Sequence, residues 1–402
     1  MNQRAISWSA GLLIIVAAVF TFVFVKNRLN ERKDGSQAAS VVNNGERKIW
    51  QEKMVEAAMA PSDCPAPAKR DWDKSFYQGP MIDAHFHIAS MPDGGPGSEL
   101  EDPGERPMLG VNITMADIVC LLDYEGTKAA FAFFPVWEPI IEMQIEVAGR
   151  TMAKYPDRFL PFIMPPDDDG SPTGFPTVDA KTLIDILAIS PGLFEGYGEI
   201  GLYARGDRGG PKEQQGALAL PPDSTRLMEI YPVVRENKLL VYFHLGEGQK
   251  KSYEKVLSAN PDINFVFHGD QLIPYERSGQ NLEHIADILK RHPNVFYGVD
   301  ELYGDEFLIR PGVSKEEFIA HFKNYEPLLR EDLGTWKKFI ESHPDQVIWD
   351  TDRGAEILWS LDREVAITLN DYARAFIGRL DPTVQEKYAY KNAEKLMNSV
   401  SE

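Results

Sequence analysis

From about Gly79 onward, short apolar runs rich in β-branched and aromatic residues alternate with longer segments whose apolar positions recur every three to four residues. The runs are Met81–Phe86, Ala129–Phe134, Phe159–Ile163, Glu195–Ile200, Leu239–Phe243, Ile263–Phe267, Val295–Val299 and Val347–Trp349. Between them, Glu138–Tyr155, Ser224–Asn237, Asn281–Arg291 and Gly334–Ser342 carry helical spacing. Strands that alternate with helices predict a parallel sheet, because a parallel partner is reached through a crossover. Eight such units in roughly 270 residues predict an α/β fold of the (β/α)8 or TIM barrel kind, which takes about 250 residues. The competing open, doubly wound sheet lacks its usual sign, since no glycine-rich phosphate loop follows the first run.

A different pattern occupies the N-terminus. Ala5–Val25 contains no charged residue over 21 positions, enough helix to cross a hydrocarbon layer of about 30 Å. Lys26, Arg28, Arg32 and Lys33 follow directly, where a cleaved signal would show a shorter apolar region and a small-residue cleavage site. An uncleaved transmembrane helix is therefore expected within residues 1–26. Counting those four basic residues against Arg4 and the terminal amine puts the rest of the chain in the cytoplasm. Against that count, a short tail ahead of a single signal-anchor commonly stays inside while the following domain is exported. The exported arrangement, periplasmic in a bacterium, is the one expected here. Residues 27–78 read as a polar stalk with one helix over Arg47–Met59, ended by Pro61, Pro65 and Pro67, and residues 79–402 as the barrel.

Composition narrows the classes. With 402 residues, 43% of them hydrophobic, the chain can build a large core, and disordered or low-complexity classes are excluded. A net charge of −19 repels phosphate backbones, so nucleic acid is not an expected partner. Cys64 and Cys120 are too few for a disulfide framework or a cysteine zinc site, although they can form one bridge.

The chemistry lies in the histidines. Four of the eight, His85, His87, His244 and His268, stand at the C-terminal ends of runs one, five and six, the face on which barrel active sites are built. His85 and His87 are two residues apart on a strand, so both project to one side. Run eight ends in Asp350 and Asp352, again two apart and on one face, and spacing alone does not choose between them. Three imidazoles and a carboxylate suit zinc or a similar divalent ion with a position left for water. Such an ion lowers the pKa of water toward about 7 and polarises a carbonyl.

In this order, on strands one, five, six and eight, His85-Phe-His87, His244, His268 and Asp352 resemble the amidohydrolase superfamily over about Met81 to Ala393. Tyr155–Phe162, Asn260–Gly269 and His292–Tyr297 resemble the amidohydrolase-related branch that holds decarboxylases of the aminocarboxymuconate-semialdehyde type and hydrolases of small cyclic esters. The resemblance implies that His85, His87, His244 and Asp352 hold the metal and that His268 acts beside it on substrate. Glu195-Gly-Tyr-Gly-Glu199-Ile-Gly-Leu202 is similar to the strand-four motif of TatD-like nucleases, whose glutamate bridges two metals. It leaves open a second ion held by Glu199, His244 and His268. One zinc ion is the expectation, with Asp352 and His268 catalytic and Glu199 beside them.

Loop residues suggest how substrate is held. Ile88–Asn112 is long and rich in Gly, Pro and acidic residues, as a lid would be. Trp137, Tyr203, Arg205, Arg208 and Arg353 follow strand ends, and a cation near a metal suits a substrate carboxylate. Arg353 is the preferred candidate, with Trp137 and Tyr203 beside it. The expected partners are a small molecule, the bilayer through residues 5–25 and, at most, further copies of the chain in a homo-oligomer. A metal-dependent hydrolase of a small amide, lactone or ester is the leading reading. The alternatives are a nonoxidative decarboxylase on the same scaffold, a TatD-like nuclease, and a tethered binding protein.

Overall fold

Eight parallel strands pair in sequence order: β1 (Met81–His87), β2 (Thr127–Pro135), β3 (Phe159–Met164), β4 (Gly196–Gly201), β5 (Leu240–His244), β6 (Phe265–His268), β7 (Val295–Val299) and β8 (Val347–Trp349). This computed structural model describes residues 44–65, 70–88, 113–166, 169–171, 173–202, 220–246, 248–268, 280–299, 302, 314–353 and 361–401. The sheet closes where Arg353 pairs with Phe86 and its carbonyl accepts from the His87 amide at 2.8 Å. The strands read as near-continuous apolar runs because both faces are buried. Ile82, Ala84, Phe131, Phe133, Leu160, Phe162, Leu240, Tyr242, Val266, Phe296 and Ile348 fill the barrel. Alternate residues such as Ala130, Ala132, Phe134, Val241 and Phe243 meet the surrounding helices.

Those helices include α1 (Asn44–Ala58), α2 (Met115–Glu125), α3 (Ile141–Lys154), α4 (Ala180–Ile189), α5 (Thr225–Glu236), α6 (Lys250–Ala259), α7 (Gln280–Arg291), α8 (Lys315–Phe322) and α9 (Glu326–Ser342). After β8 come α10 (Arg363–Ile377), α11 (Pro382–Glu386), a π turn over Lys387–Lys391, and α12 (Asn392–Ser401). Local chemistry sets several starts: Thr114 and Ser314 form capping boxes with Asp117 and Glu317, and Asp179, Ser224 and Asp362 accept from the first turn. Ala393 and Leu396 of α12 join the interior cluster, so α12 stoppers the end of the barrel where the strands begin. Asn392 locks it there by donating to Pro344 and Val347 carbonyls, both at 2.9 Å.

Three strands are irregular: Met81 pairs with Thr127 and Ile82 with Ala129, so β2 carries an extra residue at Lys128. Asp83 pairs with Ala130 and Phe86 with Ala132, so β1 holds one residue more than its partner. Tyr197 pairs with Val241 and Ile200 with Phe243, which puts an extra residue in β4. Bulges of this kind re-aim side chains.

The helix expected at Arg47–Met59 is present as α1, and it is docked. Met54, Val55 and Ala58 are buried against α3. Below it, Cys64 is bonded to Cys120 of α2, their Cα atoms 6.3 Å apart, within the ordinary span of a bridge. The apolar stretch 5–25 lies outside the described residues, and among the described residues no helix is long and apolar enough to cross a membrane. Because the bridge closes 56 residues of chain, reducing it, or replacing Cys120 by serine, should cost up to about 4 kcal/mol of unfolding free energy. Thermal denaturation with and without reductant checks this; unchanged stability would show that the bridge holds nothing the packing of α1 does not.

Candidate metal centre

The β1 bulge lets His85 and His87 both face the interior above Ala84. His85 lies against the aromatic layer below, its ring 4.6 Å from Phe133 and 4.7 Å from Tyr242. On β4 the bulge contains Gly198, at φ +137°, where a side-chain carbon would collide with the Tyr242 carbonyl. Only glycine fits both that backbone and that approach, and the following residue, Glu199, is thereby turned inward. His244 and His268 are register partners on β5 and β6, their rings 4.4 Å apart. Asp352 follows β8 with φ +48°.

These six side chains form two groups that share one member. Glu199 Oε2 is 3.4 Å from Nε2 of both His85 and His87, and Asp352 Oδ1 is 3.5 Å from the first and 2.9 Å from the second. Glu199 Oε1 lies 2.7 Å from His244 Nδ1 and 3.0 Å from His268 Nε2. Each group offers ligand atoms within 4.8 Å of one another. Both ring nitrogens of His85 are buried without a hydrogen-bond partner, a costly state for a polar group unless a cation takes the lone pair. The donors therefore fit a divalent metal: imidazole nitrogens and carboxylate oxygens, several converging on one point.

The cluster is electrostatically tense. Burial lowers His85. Burial also acts to lower His87, but the carboxylates of Asp352 and Glu199 overcome it and raise that imidazole to about 9. Burial penalises the charges of Glu199 and Asp352, yet the neighbouring imidazoles win and hold both below the usual carboxylate range. Without an ion, a proton on His87 holds the two carboxylates together.

Most of the expected site residues fall within the described residues. His85, His87, His244, His268, Glu199 and Asp352 are brought together, His268 with the ligand groups rather than beside them. Asp350 sits one layer deeper, its Oδ2 accepting from the Tyr242 hydroxyl at 2.8 Å, in space that exists because Gly298 has no side chain to collide with it. Trp137, in the turn after β2, is partly buried against the outer core. Tyr203, Arg205, Arg208 and the lid expected at Ile88–Asn112 beyond Ile88 lie outside the described residues.

Arg353 requires a correction. Expected to take a substrate carboxylate, it is 3% exposed, with its guanidinium forked onto Glu125 at 2.7 and 3.0 Å and 3.6 Å from Asp83. Its Nε donates to Thr351, whose hydroxyl donates to Asp83 at 2.6 Å. Arg353 bridges Phe86, which faces the outer core, and its guanidinium lies over that ring, 5.3 Å from its centre, on the side away from the histidines. Burial raises Asp83 to about 6 against the pull of Arg353 and Thr351. Apart from a charged residue, Asp83, in an otherwise apolar run, little in the sequence points to this network. Met164, whose sulfur lies 3.1 Å from His87 Nδ1, carried no signal at all.

With this geometry in view, known proteins offer three comparisons. A family model described as Amidohydrolase matches residues 82–398. No curated protein matches the sequence. Among solved structures, an amidohydrolase from Burkholderia multivorans with bound zinc is 13% identical, covering 80% of this chain and 99% of its own at a TM-score of 0.49. A probable 2-pyrone-4,6-dicarboxylic acid hydrolase from Acinetobacter baumannii with citric acid bound is 14% identical, covering 79% and 99% at 0.47. A dihydroxybenzoic acid decarboxylase from Polaromonas sp. JS666, with manganese and 2-nitroresorcinol, is 14% identical, covering 80% and 97% at 0.36. Likenesses this distant decide nothing about the reaction.

Two outcomes follow from the electrostatics. An incoming cation must displace the His87 proton, so metal uptake near neutral pH should release about one proton and tighten as pH rises toward 9, above which His87 is already neutral. Calorimetric titration in buffers of different ionisation enthalpy measures it, and uptake with no proton released at pH 7 would refute the assignment. Replacing Arg353 by methionine leaves Glu125 and Asp83 buried without their cation and should destabilise the fold by about 3–5 kcal/mol. An unchanged unfolding midpoint would return Arg353 to the substrate side.

Proposed function

We propose, from the premise that this chain belongs to the amidohydrolase family, that it is a metal-dependent hydrolase holding two divalent ions, most suitably zinc, and cleaving a small ester, lactone or amide. One observation carries the reading: the two carboxylate oxygens of Glu199 face two different imidazole pairs, His85 with His87 and His244 with His268. The single ion expected from sequence would use only half of this arrangement and leave the other imidazole pair around a charged carboxylate oxygen. Glu199 is therefore assigned as the bridge, with His85, His87 and Asp352 on one ion and His244 and His268 on the other.

Bound divalent ions supply Lewis acidity and water that ionises near neutral pH. The chain's own residues do the rest. Asp352, ionised because the neighbouring imidazoles hold its pKa down, accepts the proton of the attacking water and returns it to the leaving alkoxide or amine. The aromatic layer of Phe133, Phe162 and Tyr242 lies against the histidines from below and keeps that side dry. Ions held by these residues would activate water and polarise a carbonyl, chemistry that suits attack by water better than loss of carbon dioxide. That ranks hydrolysis above the decarboxylase reading.

Location belongs to the same proposal. The apolar span at residues 5–25 reads as a membrane anchor. The Cys64–Cys120 bridge favours an oxidising, extracytoplasmic setting for the barrel.

The test is metal analysis joined to turnover. The native protein should carry two equivalents, Glu199→Gln should lose about one, and Asp352→Asn should cut turnover by about 10²–10⁴-fold. A single equivalent unaffected by Glu199→Gln overturns the bridge. Release of carbon dioxide from a carboxylated phenol, with no oxygen incorporated from labelled water, overturns the hydrolase.

A further inference from the structure

Helix α1 has a direction as well as a docking partner. Gln51 donates to the Pro139 carbonyl at 3.0 Å, in the turn leaving the C-terminal end of β2. Glu56 pairs with Arg150 at 2.7 Å, and Met59 accepts from the Thr151 hydroxyl at 3.7 Å, both toward the far end of α3. α1 therefore descends parallel to α3, and its N-terminal end lies on the face where the metal-binding groups stand. Gln51 is level with that face, and the seven residues of α1 before it carry Asn44 about 10 Å further out. The described chain thus begins on the catalytic face, and residues 26–43 separate α1 from the end of the apolar run at Val25 in sequence.

We propose that the catalytic face is held toward the lipid bilayer that residues 5–25 cross, so that the metal groups open onto the headgroup layer. The proposal rests on the metal-site and anchor readings above and adds an orientation to them. Eighteen residues, 26–43, span about 23 Å as a coil and about 27 Å as a helix. Turning the opposite face to the lipid would oblige them to run back past α1, which is 15 residues and about 22 Å long, so they would have to be drawn well beyond coil dimensions toward their extended limit of about 60 Å, at a cost in chain entropy. Lys26, Arg28, Arg32 and Lys33 adjoin the apolar run, as suits anionic headgroups. The substrate class that fits this orientation is an amphiphile or lipid-linked molecule whose ester or amide lies at headgroup depth.

Energy transfer to the membrane tests it. Full-length protein is reconstituted in vesicles of phosphatidylethanolamine and phosphatidylglycerol bearing a headgroup acceptor dye. A donor is placed at Glu138→Cys on the catalytic face or at Asp157→Cys beyond the far end of α3; both positions are exposed, and the native cysteines are paired. The two lie about 21 Å apart along the axis of α3, so transfer from position 138 should exceed that from 157 by about twofold or more. Equal transfer, or more from 157, overturns the orientation. Protein that fails to float with the vesicles overturns it at the tether, and two zinc equivalents in that same sample would show that the metal reading survives independently.

Discussion

One carboxylate shared between two pairs of imidazoles is the constraint around which the barrel is arranged. Glu199 must stand in the middle of the strand ends, inside a dry core, with both oxygens facing nitrogen. A regular β4 would not place it there. The extra residue in the strand, and the glycine before Glu199 that lets the backbone press against Tyr242, turn the side chain inward. β1 makes the matching departure for His85 and His87. Both of these irregularities fall beside residues of the metal-suited cluster, where packing alone would favour straight strands.

Much of this was legible in sequence. Apolar runs of five or six residues, separated by helical spacing, specify a parallel barrel almost independently of detail. Histidines at the ends of three runs mark the catalytic face, because an imidazole closing an apolar strand has little packing reason to be there. The bulges were not legible, since one added residue does not disturb hydrophobic periodicity over so short a strand. With them went the way Glu199 is turned between the two histidine pairs, although the strand-four motif had already marked it as a candidate bridge. The choice between Asp350 and Asp352 rested on family resemblance. The structure supplies the physical distinction: Asp350 lies deeper, opposite Gly298 and under the hydroxyl of Tyr242, while Asp352 reaches the imidazoles.

Arg353 shows what proximity in sequence conceals. It neighbours Asp352 and carries the right charge for a substrate acid, yet it lies beside Phe86 on the outer side of the barrel and reaches Glu125 and Asp83. There its guanidinium and its carbonyl bind the last strand to the first. Asp352, in a left-handed backbone conformation, is held on both sides: Thr351 is tied to Asp83 and Arg353 to Glu125. A ligand that must keep its aim in the absence of regular strand pairing is thus fixed by its neighbours' side chains.

The position of α12 has a kinetic meaning. With Ala393 and Leu396 packed into the interior beneath the aromatic layer, the barrel is a blind well rather than a tunnel. Anything that reaches the histidines and carboxylates at the strand ends therefore comes and goes on that side alone, so departure of one occupant must precede arrival of the next.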